Sequence, residues 1–195
     1  MTIVEENYQK YCNRSSDINE HLPTLSRYAS ECEHVTEMGV REVVSTWAFL
    51  DGKPKRLISY DIYTAAGIAL AEQGAVEAGV DFTFIEKNVL DVTIEETDLL
   101  FIDTWHKYGQ LIQELDLHAG SVRKYIILHD TTKYATEDEG HWHGKYQDER
   151  TEGMSKRGLW TAVEEFLQAN PEWSIKERYT NNNGLTVLQR NERTT

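Results

Sequence analysis

Apolar residues come in short runs along this chain, and the spacing between them switches repeatedly from strand-like to helix-like. The alternation begins at His34. Val35-Thr-Glu-Met38 predicts a strand with Gly39 at the turn after it, and Ser45 to Leu50 predicts a helix stopped by Gly52-Lys-Pro54. Leu57-Ile-Ser-Tyr-Asp61 predicts a second strand, the alanine-rich stretch from Ala65 to Glu77 a helix ending near Gly79, and Phe82-Thr-Phe-Ile85 a third strand. Val92 to Thr97 connects to a fourth strand, Asp98-Leu-Leu-Phe-Ile102, which ends at Asp103. Leu111, Ile112 and Leu115 give Tyr108 to His118 helical periodicity, and Tyr125-Ile-Ile-Leu128 is a fifth strand running into His129-Asp130-Thr131.

The rhythm is different at both ends. Up to about residue 30 the chain is polar and mixed; Ser16 or Asp17 is the expected N-cap of a helix through Glu20 and Leu22, which Pro23 interrupts or restarts. Thr132 to Arg157 has no apolar period and is rich in Glu, Asp, Gly, His and Lys, as a long functional loop or lid would be. Gly158 to Leu167 is an amphipathic helix ended near Asn170-Pro171. Trp173 to Tyr179 and Leu185 to Gln189 are two strands of a hairpin whose tip, Asn181 to Gly184, reads as a tight turn and nothing more. Residues 1–195 are expected to form one domain, with a helical cap at 1–33, βα units at 34–131, the loop at 132–157 and the last helix and hairpin at 158–190. Trp47, Trp160 and Trp173 read as core or interface aromatics.

Composition narrows the functional classes. A net charge of -13 is opposite to the basic footprint that nucleic-acid binding requires. No run of about 18 apolar residues offers a membrane span, and no signal-type apolar region opens the chain. The expected setting is cytoplasmic, with Cys12 and Cys32 as free thiols and a homo-oligomer left open.

The candidate chemistry gathers at the strand ends, because ligands of open α/β sheets bind outside the carboxyl ends of the strands. Gly39 allows close backbone approach, and the helix after it starts with free N–H groups. Glu37 and Asp61 are acids of the first two βα units; Asp61 stands where nucleoside-binding sheets place a carboxylate for ribose hydroxyls, and its plain alternative is a turn acid. Asp103 and Asp130 end neighbouring strands, within bridging distance of one hard cation, or else merely cap loops. His106, three residues beyond Asp103, has the right ordinary pKa for a general base, its plain alternative being a hydrogen-bonded surface or supporting histidine, whereas Tyr108 is read as packing. His141-Trp-His143 is weak as a metal pair and is read as acceptor-contacting.

Glu37-Met-Gly-Val-Arg-Glu-Val43 resembles the Glu-x-Gly-x-x-x-Gly motif of class I S-adenosylmethionine-dependent methyltransferases, with Val43 in place of the second glycine. Five βα units, a helix and a hairpin resemble the architecture of that family. The resemblance implies a Rossmann-like, three-layer α/β/α fold with a mostly parallel seven-stranded sheet ending in an antiparallel hairpin. It implies donor contacts from Glu37, Gly39, Asp61, Asn88, Val89 and Asp103, the Asn88–Val89 segment falling where the family contacts adenine.

Ile102-Asp-Thr-Trp-His-Lys-Tyr108, His129-Asp-Thr131 and Gly158-Leu-Trp160 are similar to metal-dependent O-methyltransferases of the catechol type, and more closely to the cephalosporin hydroxylase and rhamnosyl O-methyltransferase-like group. By that resemblance Asp103, His129 and Asp130 hold a divalent ion, Asp103 and His106 are catalytic, and Ser16 to Leu22 belong to a cap over the donor. His129 stands where the group carries an acid, which moves the expected ion from magnesium toward manganese, iron or zinc. The implied cofactor is S-adenosylmethionine and the implied partner a small-molecule or sugar acceptor, with neither nucleic acid nor membrane involved. Val43 and His129 leave room for a non-catalytic S-adenosylmethionine or nucleoside binder with a decayed site, and an enzyme that degrades the donor is a further alternative.

Overall fold

The computed structural model describes residues 1–140 and 148–191. Seven strands form one sheet: β1 (His34–Met38), β2 (Arg56–Asp61), β3 (Asp81–Glu86), β4 (Thr97–Ile102), β5 (Val122–His129), β6 (Trp173–Tyr179) and β7 (Leu185–Arg190). Their order is β3-β2-β1-β4-β5-β7-β6. The first five strands are parallel, and β7 runs antiparallel to both β5 and β6. The chain therefore turns outward from β1 to β2 and β3, then returns to place β4 on the other side of β1. That reversal opens a crevice at the carboxyl ends of β1 and β4.

Among the described residues six α-helices cover the two faces: α1 (Ile3–Cys12), α2 (Leu22–Ser30), α3 (Val44–Gly52) and α4 (Ile68–Ala78) on one, and α5 (Tyr108–His118) and α6 (Leu159–Ala169) on the other. The period-2 pleat sorts β4 between them. Leu99 and Phe101 join the core with Leu25, Trp47 and Phe49, whereas Leu100 and Ile102 join Leu111, Leu115, Val163 and Phe166. Every β4 residue is buried, as expected of a parallel strand covered on both faces.

Several boundaries differ from the sequence expectation for identifiable reasons. β5 begins at Val122, and the exposed Arg123 and Lys124 disguise its first turn of pleat. The N-terminal segment holds two helices and a single 3₁₀ turn. α1 is stabilised by a capping box, with Thr2 Oγ1 accepting from Glu5 N and Glu5 Oε2 accepting from Thr2 N. The 3₁₀ turn Asn19–His21 has Ile18 at its N-cap with no side-chain cap, and neither Ser16 nor Asp17 fills that place; Ser16 Oγ accepts from the N–H groups of Ile18 and Asn19 just ahead of the turn. Of the two expectations for Pro23, restart is the one realised: it lies in the first turn of α2, where its missing N–H costs nothing. Among the described residues no helix is long and apolar enough to cross a membrane. Cys12 and Cys32 are free, and His141, Trp142 and His143 lie outside the described residues.

Candidate active site

Gly39 closes the crevice from below. Its φ of +87° turns the chain off β1, and its N–H donates to Tyr60 O across β2. The neighbouring strand end is joined by Asp103 N donating to Met38 O at 2.8 Å. The turn that follows is held by Asp61, whose Oδ2 accepts from Val40 N at 2.7 Å and from Arg41 N at 2.9 Å, while Oδ1 accepts from Tyr63 N at 3.2 Å. Asp61 thus performs the plain role of a turn acid, with one lone pair of Oδ1 left over. Val43, at the position of the second motif glycine, takes the left-handed conformation (φ +67°) that glycine would adopt without strain. For a β-branched residue this costs about 1–2 kcal/mol.

Glu37, expected in the donor site, is placed behind it. The side chain is 0 % exposed and accepts hydrogen bonds from Ser45, Thr46 and Ser59, tying β1 to β2 and to the first turn of α3. Burial pushes its carboxyl up to about 7, against the lowering effect of the three hydroxyls. A carboxyl raised on folding stabilises fully below its unfolded value, near 4.5, and that contribution is lost as pH rises through 7. Glu37→Gln is therefore expected to gain on the wild type by roughly 3 kcal/mol between pH 4.5 and pH 8. Denaturant midpoints of the two proteins across that range check this; parallel profiles would refute it.

A cavity of about 390 Å³ opens at the crevice, within the range of small-molecule sites. Gly39, Asp61, Asn88, Val89, Asp103 and His106 all line it, together with Arg41, Tyr60, Trp105 and Glu139. The Asn88 side chain is engaged locally: Oδ1 accepts from Leu90 N and Nδ2 donates to Asp148. Arg41 is held by both oxygens of Asp17, which fastens the N-terminal segment to the rim.

At one side of the cavity two acids and two histidines meet. The β4–β5 register pairs Ile102 with Leu128, so the next residues, Asp103 and His129, emerge side by side. Asp130 follows with φ +59°. His129 Nδ1 lies 3.3 Å from Asp103 Oδ1 and 3.0 Å from Asp130 Oδ2. His106 Nε2 approaches the same two oxygens, at 3.3 and 2.9 Å. The outer nitrogens are fixed as well. His129 Nε2 faces Asp17 O at 3.1 Å and Asn182 O at 3.2 Å; carbonyls only accept, so this nitrogen carries a proton. His106 Nδ1 lies 2.9 Å from Glu139 Oε2, and Tyr134 stacks on the ring at 4.8 Å.

Electrostatics follow from this contact set. Burial alone would lower both imidazoles, but hydrogen bonds to Asp103, Asp130 and Glu139 push His106 up to about 12, and the Asp103 charge leads the rise of His129 to about 10. Burial would raise the acids; the His129 charge and the His106 hydrogen bond instead hold Asp103 far below the carboxylate range, and the bonds from both histidines hold Asp130 near 2. Both imidazoles are thereby held in their protonated form.

The residues fit a divalent ion. One ligand atom each from Asp103, His129 and Asp130 lies within 4.8 Å of the others. Asp130 Oδ1 is buried without a hydrogen-bond partner. His129 has its Nε2 proton spent on carbonyls, the outer-shell pattern that leaves Nδ1 for a metal.

Sequence reasoning brought Asp103, His106, His129 and Asp130 together but missed three contributors. Glu139 lies in an aperiodic segment that carries no signal. The Asp17 and Asn182 carbonyls are backbone, which side-chain identity cannot report. The hairpin tip is more than a turn: Asn182 accepts from Glu20 N and donates to Ser16 O, and Asn183 O receives Thr132 N and Lys133 N. Tyr108, read as packing, donates its hydroxyl to Glu165 on α6.

The sheet order, the antiparallel β7 and the crevice at β1 and β4 define the class I methyltransferase fold. An O-methyltransferase from Bacillus cereus in complex with S-adenosylhomocysteine is similar at a TM-score of 0.61 and 14 % identity, over 96 % of this chain and 90 % of that one. TomG from Streptomyces achromogenes, an O-methyltransferase involved in tomaymycin synthesis and complexed with S-adenosylmethionine, is similar at 0.60 and 12 %, over 97 % and 89 %. The N-methyltransferase NodS from Bradyrhizobium japonicum WM9, in complex with S-adenosylhomocysteine, is similar at 0.59 and 12 %, over 97 % and 99 %. No family model matches the chain, and no curated protein matches it.

Proposed function

We propose that the protein is an S-adenosylmethionine-dependent methyltransferase, and that it carries out metal-assisted O-methyl transfer to a small-molecule or sugar hydroxyl. The observation that carries this reading is the lining of one cavity. Gly39, Asp61, Asn88 and Val89, the expected donor contacts, share it with Asp103 and His106 of the acid–histidine centre. Donor-bound structures of the same fold, from proteins that methylate oxygen and nitrogen, support the donor half. The acid–histidine centre favours oxygen.

In this reading Asp61 Oδ1 accepts a ribose hydroxyl through its remaining lone pair, and Asn88–Val89 flank the base. Asp103, His129 and Asp130 would hold a divalent ion. Bound there, it would lower the pKa of a coordinated hydroxyl and offset the carboxylate charge that keeps the imidazoles protonated. His106, once neutral, takes the hydroxyl proton as the methyl group passes from sulfur to oxygen and S-adenosylhomocysteine leaves. Holding both partners in line supplies roughly 7–11 kcal/mol of the barrier.

Calorimetry with S-adenosylmethionine and S-adenosylhomocysteine, with and without Mn²⁺, tests this. Both are expected to bind in the micromolar range, more tightly with the ion. Binding of neither would end the methyltransferase reading. A second reading, a donor-binding protein without transfer, is favoured by the way both imidazoles already engage one oxygen of each acid, Asp103 Oδ1 and Asp130 Oδ2. It predicts donor binding that no divalent ion alters.

A further inference from the structure

A second, smaller cavity of about 10 Å³ adjoins the site, with apolar walls from Ile102, Leu111, Leu128 and Leu159; Trp105 and Glu114 line it together with Asp103, Thr104, His106 and His129. Its size is that of one water molecule. Two buried polar atoms of its walls have no hydrogen-bond partner, Trp105 Nε1 and Glu114 Oε2. They are complementary: an indole N–H can only donate, and a carboxylate oxygen accepts. Such a pair of unmatched groups around a water-sized space is what a bridging water resolves.

We propose that one long-lived water occupies this cavity, accepts from Trp105 Nε1 and donates to Glu114 Oε2, and that Glu114 is thereby a positioning residue for the indole that walls the large cavity. The carboxyl end of the bridge is already fixed. Glu114 is 0 % exposed, and its Oε1 accepts from Thr104 Oγ1 at 2.6 Å and from Gln110 Nε2 at 2.7 Å. The indole is held on its face by Lys107 Nζ, 3.7 Å from the ring centroid, and Lys107 is itself tied to Glu152. The water would hold its edge. Burial pushes the Glu114 carboxyl up to about 7, and a water serves either form, donating to the carboxylate or accepting from the acid. The bridge connects α5 to the loop after β4, so it sets where Trp105 stands against a ligand in the large cavity.

The test is water–protein Overhauser spectroscopy on the full chain with ¹⁵N-labelled tryptophan, the Trp105 indole resonance being assigned with Trp105→Phe. The wild type is expected to show a cross-peak between that N–H and water with the sign of a bound molecule. Glu114→Gln is expected to keep it, and Glu114→Leu to lose it while the indole proton exchanges at least tenfold faster. No such cross-peak in the wild type, or one unchanged in Glu114→Leu, overturns the proposal. The inference goes beyond the donor reading, because no ligand is needed to decide it. If the wild type binds S-adenosylhomocysteine, Glu114→Leu should weaken it at least fivefold and Glu114→Gln should not; equal affinities would overturn the positioning role.

Discussion

Gly39→Ala is expected to destabilise the fold by about 2–5 kcal/mol and to abolish measurable donor binding. Two effects add. The φ of +87° penalises any Cβ, and a Cβ built there would lie 2.0 Å from Asp103 O and 2.6 Å from Asp103 C. Both opposing atoms are backbone, at the very residue whose N–H ties β4 to β1. Neither can swing aside, so the strand ends must part, and the crevice between them deforms. Gly79→Ala is the control: φ is +73°, but nothing lies within 4 Å of the added carbon, so only the conformational penalty of about 1–2 kcal/mol applies. Denaturant midpoints of the two variants, with S-adenosylhomocysteine titrations of each, check this. Equal losses at both glycines would show that close approach at β1 and β4 is not what the site depends on.

Asp130→Asn is expected to weaken Mn²⁺ binding at least 100-fold, a loss of about 3 kcal/mol or more, while the chain stays folded. Asparagine is the informative replacement because it tolerates the left-handed backbone at this position (φ +59°), as alanine would not. It keeps the volume and removes the charge. The change also leaves the His106 and His129 imidazoles facing the single carboxylate of Asp103 among their nearest shared acids, so some thermal stability goes as well. Calorimetry with Mn²⁺ decides the matter. A variant that binds the ion as the wild type does would remove Asp130 from the ligand set.

The two strands that matter most were legible because each is a short apolar run ending in a charge. Leu99 to Ile102 and Ile126 to Leu128 are buried on both faces, and such runs announce themselves without any periodicity. Their ends delivered Asp103, His129 and Asp130 to one place. Side-chain direction was not legible. Glu37 and Asp61 both end up near the first turn, but one is sealed beneath it by three hydroxyls and the other spends its oxygens on backbone N–H groups. A motif glycine can be missing in letter and present in conformation, as Val43 shows. The role of the hairpin tip depends on partners about 160 residues away, at Ser16 and Glu20, a separation over which local pattern carries no information.

Those distant contacts bear on the order in which the molecule assembles. β1 to β5 can pair as soon as His129 has been synthesised, since every strand they need precedes it. The carbonyl of Asn182, which faces the outer nitrogen of His129, is made more than fifty residues later, and the same turn then draws Ser16 and Glu20 back over the histidine. Long-range closures of this kind are slow and come after local ones. A growing chain that has reached His129 therefore carries five of the seven strands with the acid–histidine corner still open, and the candidate site matures only when the hairpin docks.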